Sequence, residues 1–135
     1  MSFGYSSGDF ILCIQLAHRI WRECRDAPED FRAVSTEVAS LQLVLKEVQD
    51  AVHEREPSLS KQQDLKKLVE ACTEVLRELE NLLMKYGSLG TQSKRTWDRL
   101  RWSKDHVESI RLRVISNSSL LTSFNVGLLG YAPCT

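Results

Sequence analysis

The residues able to do chemistry are three histidines, four cysteines and 18 carboxylates in a chain of 135 residues. His18, His53 and His106 fall on three different expected helices, and none sits in a His-Glu-x-x-His pair that would place two imidazoles on one helix face for a metal. No Glu-x-x-His motif of the kind that builds a metal centre inside a helical bundle is present. The sequence has no Gly-x-Ser-x-Gly elbow, no glycine-rich phosphate loop and no strand to carry either. Glu47, Glu54, Glu70, Glu74, Glu78 and Glu80 fall mainly on outer helix faces, where they read as i,i+4 partners of lysine and arginine rather than as an acid–base pair. The expectation is therefore a protein that is not an enzyme, with no catalytic residue, no metal site and no cofactor.

Cys13, Cys24, Cys72 and Cys134 are scattered, with no Cys-x-x-Cys spacing. Cys13 and Cys24 lie on one helix face but about 16 Å apart along it. A disulfide requires Cα atoms within about 7 Å. They read as small buried hydrophobes with free thiols, which suits a reducing compartment.

Two stretches point outward to a partner. The first is the opening helix. From Phe3 to Ala17 the only charged residue is Asp9, and Phe10, Ile11, Leu12 and Ile14 form its apolar front. These four are the candidates for membrane insertion. Residues 10–21 as a helix would cover only about 18 Å of a hydrocarbon core of roughly 30 Å, so a simple span is not expected. In a resting state the same residues would pack into a core. The second stretch is basic: Lys94, Arg95, Arg99 and Arg101, continued by Lys104, Arg111 and Arg113 and interleaved with Trp97 and Trp102. Its readings are a solvated face that complements acidic residues elsewhere, a surface for anionic lipid headgroups, and a protein-docking patch. Nucleic acid is not expected, because the chain has a pI of 6.8 and no nucleic-acid motif.

The elements that must position these residues follow from apolar spacing. Phe31, Val34, Val38, Leu41, Leu45, Val48 and Val52 advance by alternating steps of three and four, and so do Leu65, Leu68, Cys72, Val75, Leu79, Leu82 and Tyr86. Such spacing makes one apolar stripe on an α-helix. Expected helices cover 9–26, 28–54, 60–86, 94–102 and 104–129. Asp9 and Ser103 are the expected N-caps of the first and last, Ser60 with Gln63 a capping box, and Gly87 a C-cap. Asn117 falls on the stripe of the last helix, as a polar core position or a solvated break. The short link near Pro57 predicts that the two long stripes meet face to face as an antiparallel hairpin. The expected fold class is all-α: a four-helix bundle with a short additional helix before the last long helix, as one domain over 1–135.

Composition agrees. Hydrophobic residues are 42% and charged residues 27%, which excludes a disordered or low-complexity chain. No apolar run approaches the roughly 20 residues of a membrane span, and no secretory signal opens the chain. A cytoplasmic location is expected. Net charge is zero, yet residues 28–57 hold seven acids and three bases while residues 88–135 hold seven bases and three acids. The two segments could face each other or meet a partner.

Three pieces carry a resemblance: Phe3-Gly4-Tyr5-Ser6-Ser7-Gly8-Asp9-Phe10-Ile11, Asp26-Ala27-Pro28-Glu29-Asp30-Phe31, and Trp97-Asp98-Arg99-Leu100-Arg101-Trp102-Ser103-Lys104-Asp105. In this order, on a helical frame, they resemble the HeLo-like N-terminal domain of fungal STAND (NLR-like) proteins. The resemblance covers about residues 2–125. It implies a helical signalling bundle at the front of a receptor, programmed cell death as an output, and a homo-oligomer formed on activation. It also implies recruitment to the membrane through the first helix. The alternative is a helical adaptor that docks another signalling protein and does not touch lipid. No phosphate-binding loop occurs up to Thr135, so both a receptor fragment and a stand-alone product stay open.

Overall fold

The computed structural model describes the backbone of residues 7–27, 29–88 and 94–128, and within these the side chains of 8–27, 31–85 and 105–128. Four helices make the fold: α1 (Ser7–Arg25), α2 (Glu29–Glu54), α3 (Leu59–Ser88) and α4 (Lys94–Leu128). No strand occurs among the described residues. The expected all-α four-helix bundle is what is observed.

The periodic stripes are the reason. Phe31, Val34, Val38, Leu41, Leu45, Val48 and Val52 are all buried. On α3, Leu65, Cys72, Val75, Leu79 and Leu82 are buried with Leu68 half-buried, while the Tyr86 side chain lies outside the described residues. α3 also buries a second row, Val69, Leu76 and Leu83. Phe10, Cys13, Leu16, Ala17, Ile20 and Cys24 from α1 and Val107, Ile110, Val114, Leu121 and Phe124 from α4 complete one core. Truncating a fully buried member such as Leu41 to alanine costs about 2–5 kcal/mol.

The arrangement differs from the expected hairpin. α2 packs against α1 and α4, and α3 packs against the same two helices. Among the described residues, α2 and α3 do not approach each other, nor do α1 and α4. The two long stripes therefore both face inward but lie diagonally across the bundle. A short link fixes how far apart two helix ends are, not whether the helices are neighbours. The five residue steps from Glu54 to Leu59 can reach about 17 Å. A square of helices about 10 Å apart has a diagonal of only about 14 Å. The double row on α3 widens its inward face.

This order makes α1 and α3 neighbours that run in the same direction: Arg19, late in α1, pairs with Glu80, late in α3. α3 and α4 run oppositely, with Glu78 beside Arg113 at one level and Lys61 beside Phe124 at another.

Helix ends also shift. The short helix expected over 94–102 is the first part of α4, which continues through Ser103 without a break. Ser103 would cap a helix only if the preceding residues left helical geometry. No proline or glycine lies between Lys94 and Val126 to force that. α1 begins at Ser7, so Asp9 stands in its first turn rather than at its cap. α3 begins at Leu59 and is capped by Ser58, whose Oγ accepts from the Lys61 amide at 3.3 Å. The Gln62 side chain turns back and donates to the Pro57 carbonyl at 2.8 Å. The capping box at Ser60 and Gln63 is not used, and α3 runs past Gly87 to Ser88. Asn117 is half-buried.

Candidate functional site

The opening apolar run divides its residues between core and surface. Phe10 is 2% exposed, and Ile14 is half-buried against the core. Ile11 and Leu12 are 45% and 63% exposed. The reason is angular: successive residues on a helix are about 100° apart. A run of five apolar residues therefore cannot all face inward on a helix with a solvent side. The expectation that Phe10, Ile11, Leu12 and Ile14 all pack into a core in the resting state is corrected at Ile11 and Leu12.

α1 is seated differently on its two neighbours. Its far half is anchored by Trp21, half-buried against the core, with the His18 ring 5.7 Å away and the Arg25 guanidinium 4.9 Å above the indole. Against α3 the packing leaves a groove of about 680 Å³, lined by Leu12, Cys13, Leu16 and Val69 and by Glu70, Glu74 and Arg77. One ion pair crosses between these two helices among the described residues: Arg19 donates through Nε at 2.9 Å and Nη2 at 2.6 Å to Glu80 Oε2. Arg19 is largely exposed, so the pair adds only about 0.2–1 kcal/mol.

Other ion pairs continue around the bundle at the same end. Glu78 on α3 accepts from Arg113 on α4 and lies 3.8 Å from His106 Nε2. Arg111 on α4 meets Glu37 on α2 at 3.3 Å and Glu108 at 2.9 Å. Arg111 and Arg113, the end of the basic stretch, thus turn to acids of neighbouring helices. Glu78 and Glu80 are interhelical partners, not i,i+4 partners along α3. The side chains of Lys94, Arg95, Arg99 and Arg101, with Trp97, Trp102 and Lys104, lie outside the described residues.

The described thiols are buried and free. Burial pushes the Cys13 thiol up, and a hydrogen bond with the Thr73 side chain offsets this only in part. Burial, with a smaller contribution from Glu23, pushes Cys24 up to about 12. Burial, and then the nearby Cys13, raises Cys72 further. Each stays a protonated thiol at neutral pH and is a poor nucleophile. Among the described residues no group of histidines, cysteines and carboxylates could hold a metal ion, and no described helix is long and apolar enough to cross a membrane.

Sequence reasoning missed the Arg19–Glu80 contact because it assigned α3 to α2 rather than to α1. It missed Gln62 because the cap lies two residues earlier than the Ser60 motif suggests. The family model named SesA, described as an N-terminal domain on NACHT NTPase and P-loop NTPases, matches residues 10–114. Searches of curated proteins and of solved structures each gave no match.

Proposed function

Because the chain belongs to the SesA family, N-terminal domains carried on NACHT NTPases and P-loop NTPases, we propose that it is a non-enzymatic signalling and cell-death domain. It relays activation of an NLR-like receptor by self-association in the cytoplasm and by delivering α1 to a membrane. The observation that carries this reading is the seating of α1. Its front presents Ile11 and Leu12 to solvent beside buried Phe10 and half-buried Ile14, over an open groove crossed by one exposed ion pair.

The mechanism follows from these contacts. Clustering of the attached NTPase gathers several copies. Parting Arg19 from Glu80 costs little, but freeing the start of α1 also draws Phe10, Cys13 and Leu16 out of the core, so α1 swings from α3 only where lipid receives these apolar residues, while Trp21 and the link to α2 hold its other end. Phe10, Ile11, Leu12 and Ile14 then enter the acyl boundary together. A helix with one charge before His18 and with Arg19, Arg22 and Arg25 behind it suits burial of about 5–10 Å in the interface rather than a span. Each basic residue near an anionic surface contributes about 1 kcal/mol, and Lys94, Arg95, Arg99 and Arg101 are assigned to headgroups on the same ground. Linked copies multiply weak single contacts into avidity.

The test is co-sedimentation of the domain, alone and artificially clustered, with phosphatidylserine vesicles and with neutral vesicles. Clustered domain pellets with the anionic vesicles, and Ile11→Glu reduces pelleting at least tenfold. Ile11 is partly exposed, so helical circular dichroism is retained. Equal behaviour of Ile11→Glu and wild type, or no pelleting after clustering, rejects the membrane role. The groove between α1 and α3 favours a second reading, a helical adaptor whose partner helix lies over Leu12, Leu16 and Val69.

A further inference from the structure

α1 and α3 each bring a buried cysteine to the same level of the bundle. The two helices run in the same direction, and Arg19 meets Glu80, 61 positions further along the chain. Carried back to Cys13, that offset reaches Glu74, and the fully buried residues around this level of α3 are Cys72 and Val75. Closer contacts choose between them. Cys13 hydrogen-bonds with the Thr73 side chain, and the Cys72 thiol lies near Cys13. Helix axes about 8–10 Å apart, with Cα atoms about 2.3 Å from each axis, bring directly facing Cα atoms to roughly 3–6 Å. A disulfide spans Cα atoms about 4.4–6.8 Å apart. Cys24, the other described thiol, is about 16 Å from Cys13 along α1, and on the same offset it lies level with Lys85 rather than with Cys72.

We infer that Cys13 and Cys72 are a paired site of oxidation, which a hydroperoxide closes into a disulfide that ties α1 to α3. Cys13 and Thr73 both line the groove between the two helices, which gives a molecule as small as hydrogen peroxide a way in. In the first step the Cys13 sulfur attacks one peroxide oxygen. The S–O bond forms, the O–O bond breaks, and the departing hydroxide takes up the thiol proton and leaves as water. In the second step the Cys72 sulfur attacks the Cys13 sulfur. The S–S bond forms, the S–O bond breaks, and a second water leaves with the Cys72 proton. The two thiols lose two electrons between them, and one peroxide becomes two waters. Burial keeps both thiols protonated, so the first step is slow and calls for excess peroxide. The consequence for function rests on the proposed release of α1. Phe10 and Ile14 lie within one turn of Cys13, so the bond holds the start of α1 on α3 and keeps the domain in its resting form until a thiol reduces it.

The experiment reads the bond directly. The domain in a Cys134→Ser background is treated with excess hydrogen peroxide at neutral pH. It is then alkylated with N-ethylmaleimide in urea, digested and mapped by mass spectrometry. A peptide pair joined through Cys13 and Cys72 is expected, with Cys24 alkylated, and dithiothreitol splits the pair into two free thiols. Treatment is continued until an exposed reference thiol, Ser40→Cys in a separate sample, is fully oxidised. Cys13 and Cys72 both alkylated at that point, either one carried to sulfinic acid without being joined, or either one joined to Cys24 overturns the paired site. The joined domain is then clustered and mixed with phosphatidylserine vesicles. It pellets at least tenfold less than the reduced domain, and dithiothreitol restores pelleting. Equal pelleting of the joined and reduced forms overturns the hold on α1. A reduced, clustered domain that does not pellet is the failure of the proposed function, and the peptide map still decides the disulfide.

Discussion

Gln62 shows how one side chain can decide a connection. It is buried, and its amide satisfies the Pro57 carbonyl at the corner where the chain crosses the bundle. Gln62→Ala leaves that carbonyl without its partner and should lower unfolding free energy by about 1–3 kcal/mol in urea. Gln62→Glu should cost at least as much at neutral pH, because a carboxylate cannot donate to a carbonyl. The corner was hard to read in the sequence because Ser58 and Ser60 are both good caps and local sequence does not choose between them. The cysteines were easier, since their places on or beside the apolar stripes already implied burial. Their raised values give a pH dependence. Cys24 ionises at 9.0 when unfolded and at about 12 when folded. The folded state thus holds its proton where the unfolded state releases it, and stability falls as pH rises from about 9 to 12. Cys24→Ala should lower overall stability yet flatten that decline, measured by denaturation across the alkaline range.

The helices were legible wherever a stripe served one simple inward face. α2 has one heptad row, with Ala51 buried beside it, and its limits lie within a residue of those expected from the sequence. α3 carries a second buried row in Val69, Leu76 and Leu83, which widens its inward face. The same residues read alone fit either a wide stripe or a hairpin seam. α4 was divided at Ser103 because serine has two uses, as a cap and as a tolerated interior residue. Lys104→Pro separates them. Proline is welcome at the first position after a cap. Inside a continuous helix it removes a hydrogen bond and costs about 3 kcal/mol or more. The continuous α4 predicts that loss, with reduced helicity by circular dichroism, whereas two helices joined at Ser103 would tolerate the change.

For the whole molecule, the sequence supplied the class and the inward faces but not the neighbours. Inward-facing stripes are satisfied by any cyclic order of four helices, and the order is settled by contacts such as Arg19–Glu80 that local periodicity does not encode. That order matters for function, because it leaves a groove between α1 and α3 beside their buried contacts at Cys13, Cys72 and Thr73. It also sorts the bundle along its axis. Interhelical ion pairs gather where α2 begins and α3 ends, while the uncharged half of α4 runs toward the opposite end. Leu12 lines the groove and faces solvent, so it reports directly on whether α1 reaches lipid. The deciding measurement is the emission of a polarity-sensitive dye attached at Leu12→Cys, with Ser40→Cys on α2 as reference, as clustered domain meets phosphatidylserine vesicles. The account predicts a marked blue shift at position 12 and none at 40; emission unchanged at both positions, or shifted equally at both, would contradict it.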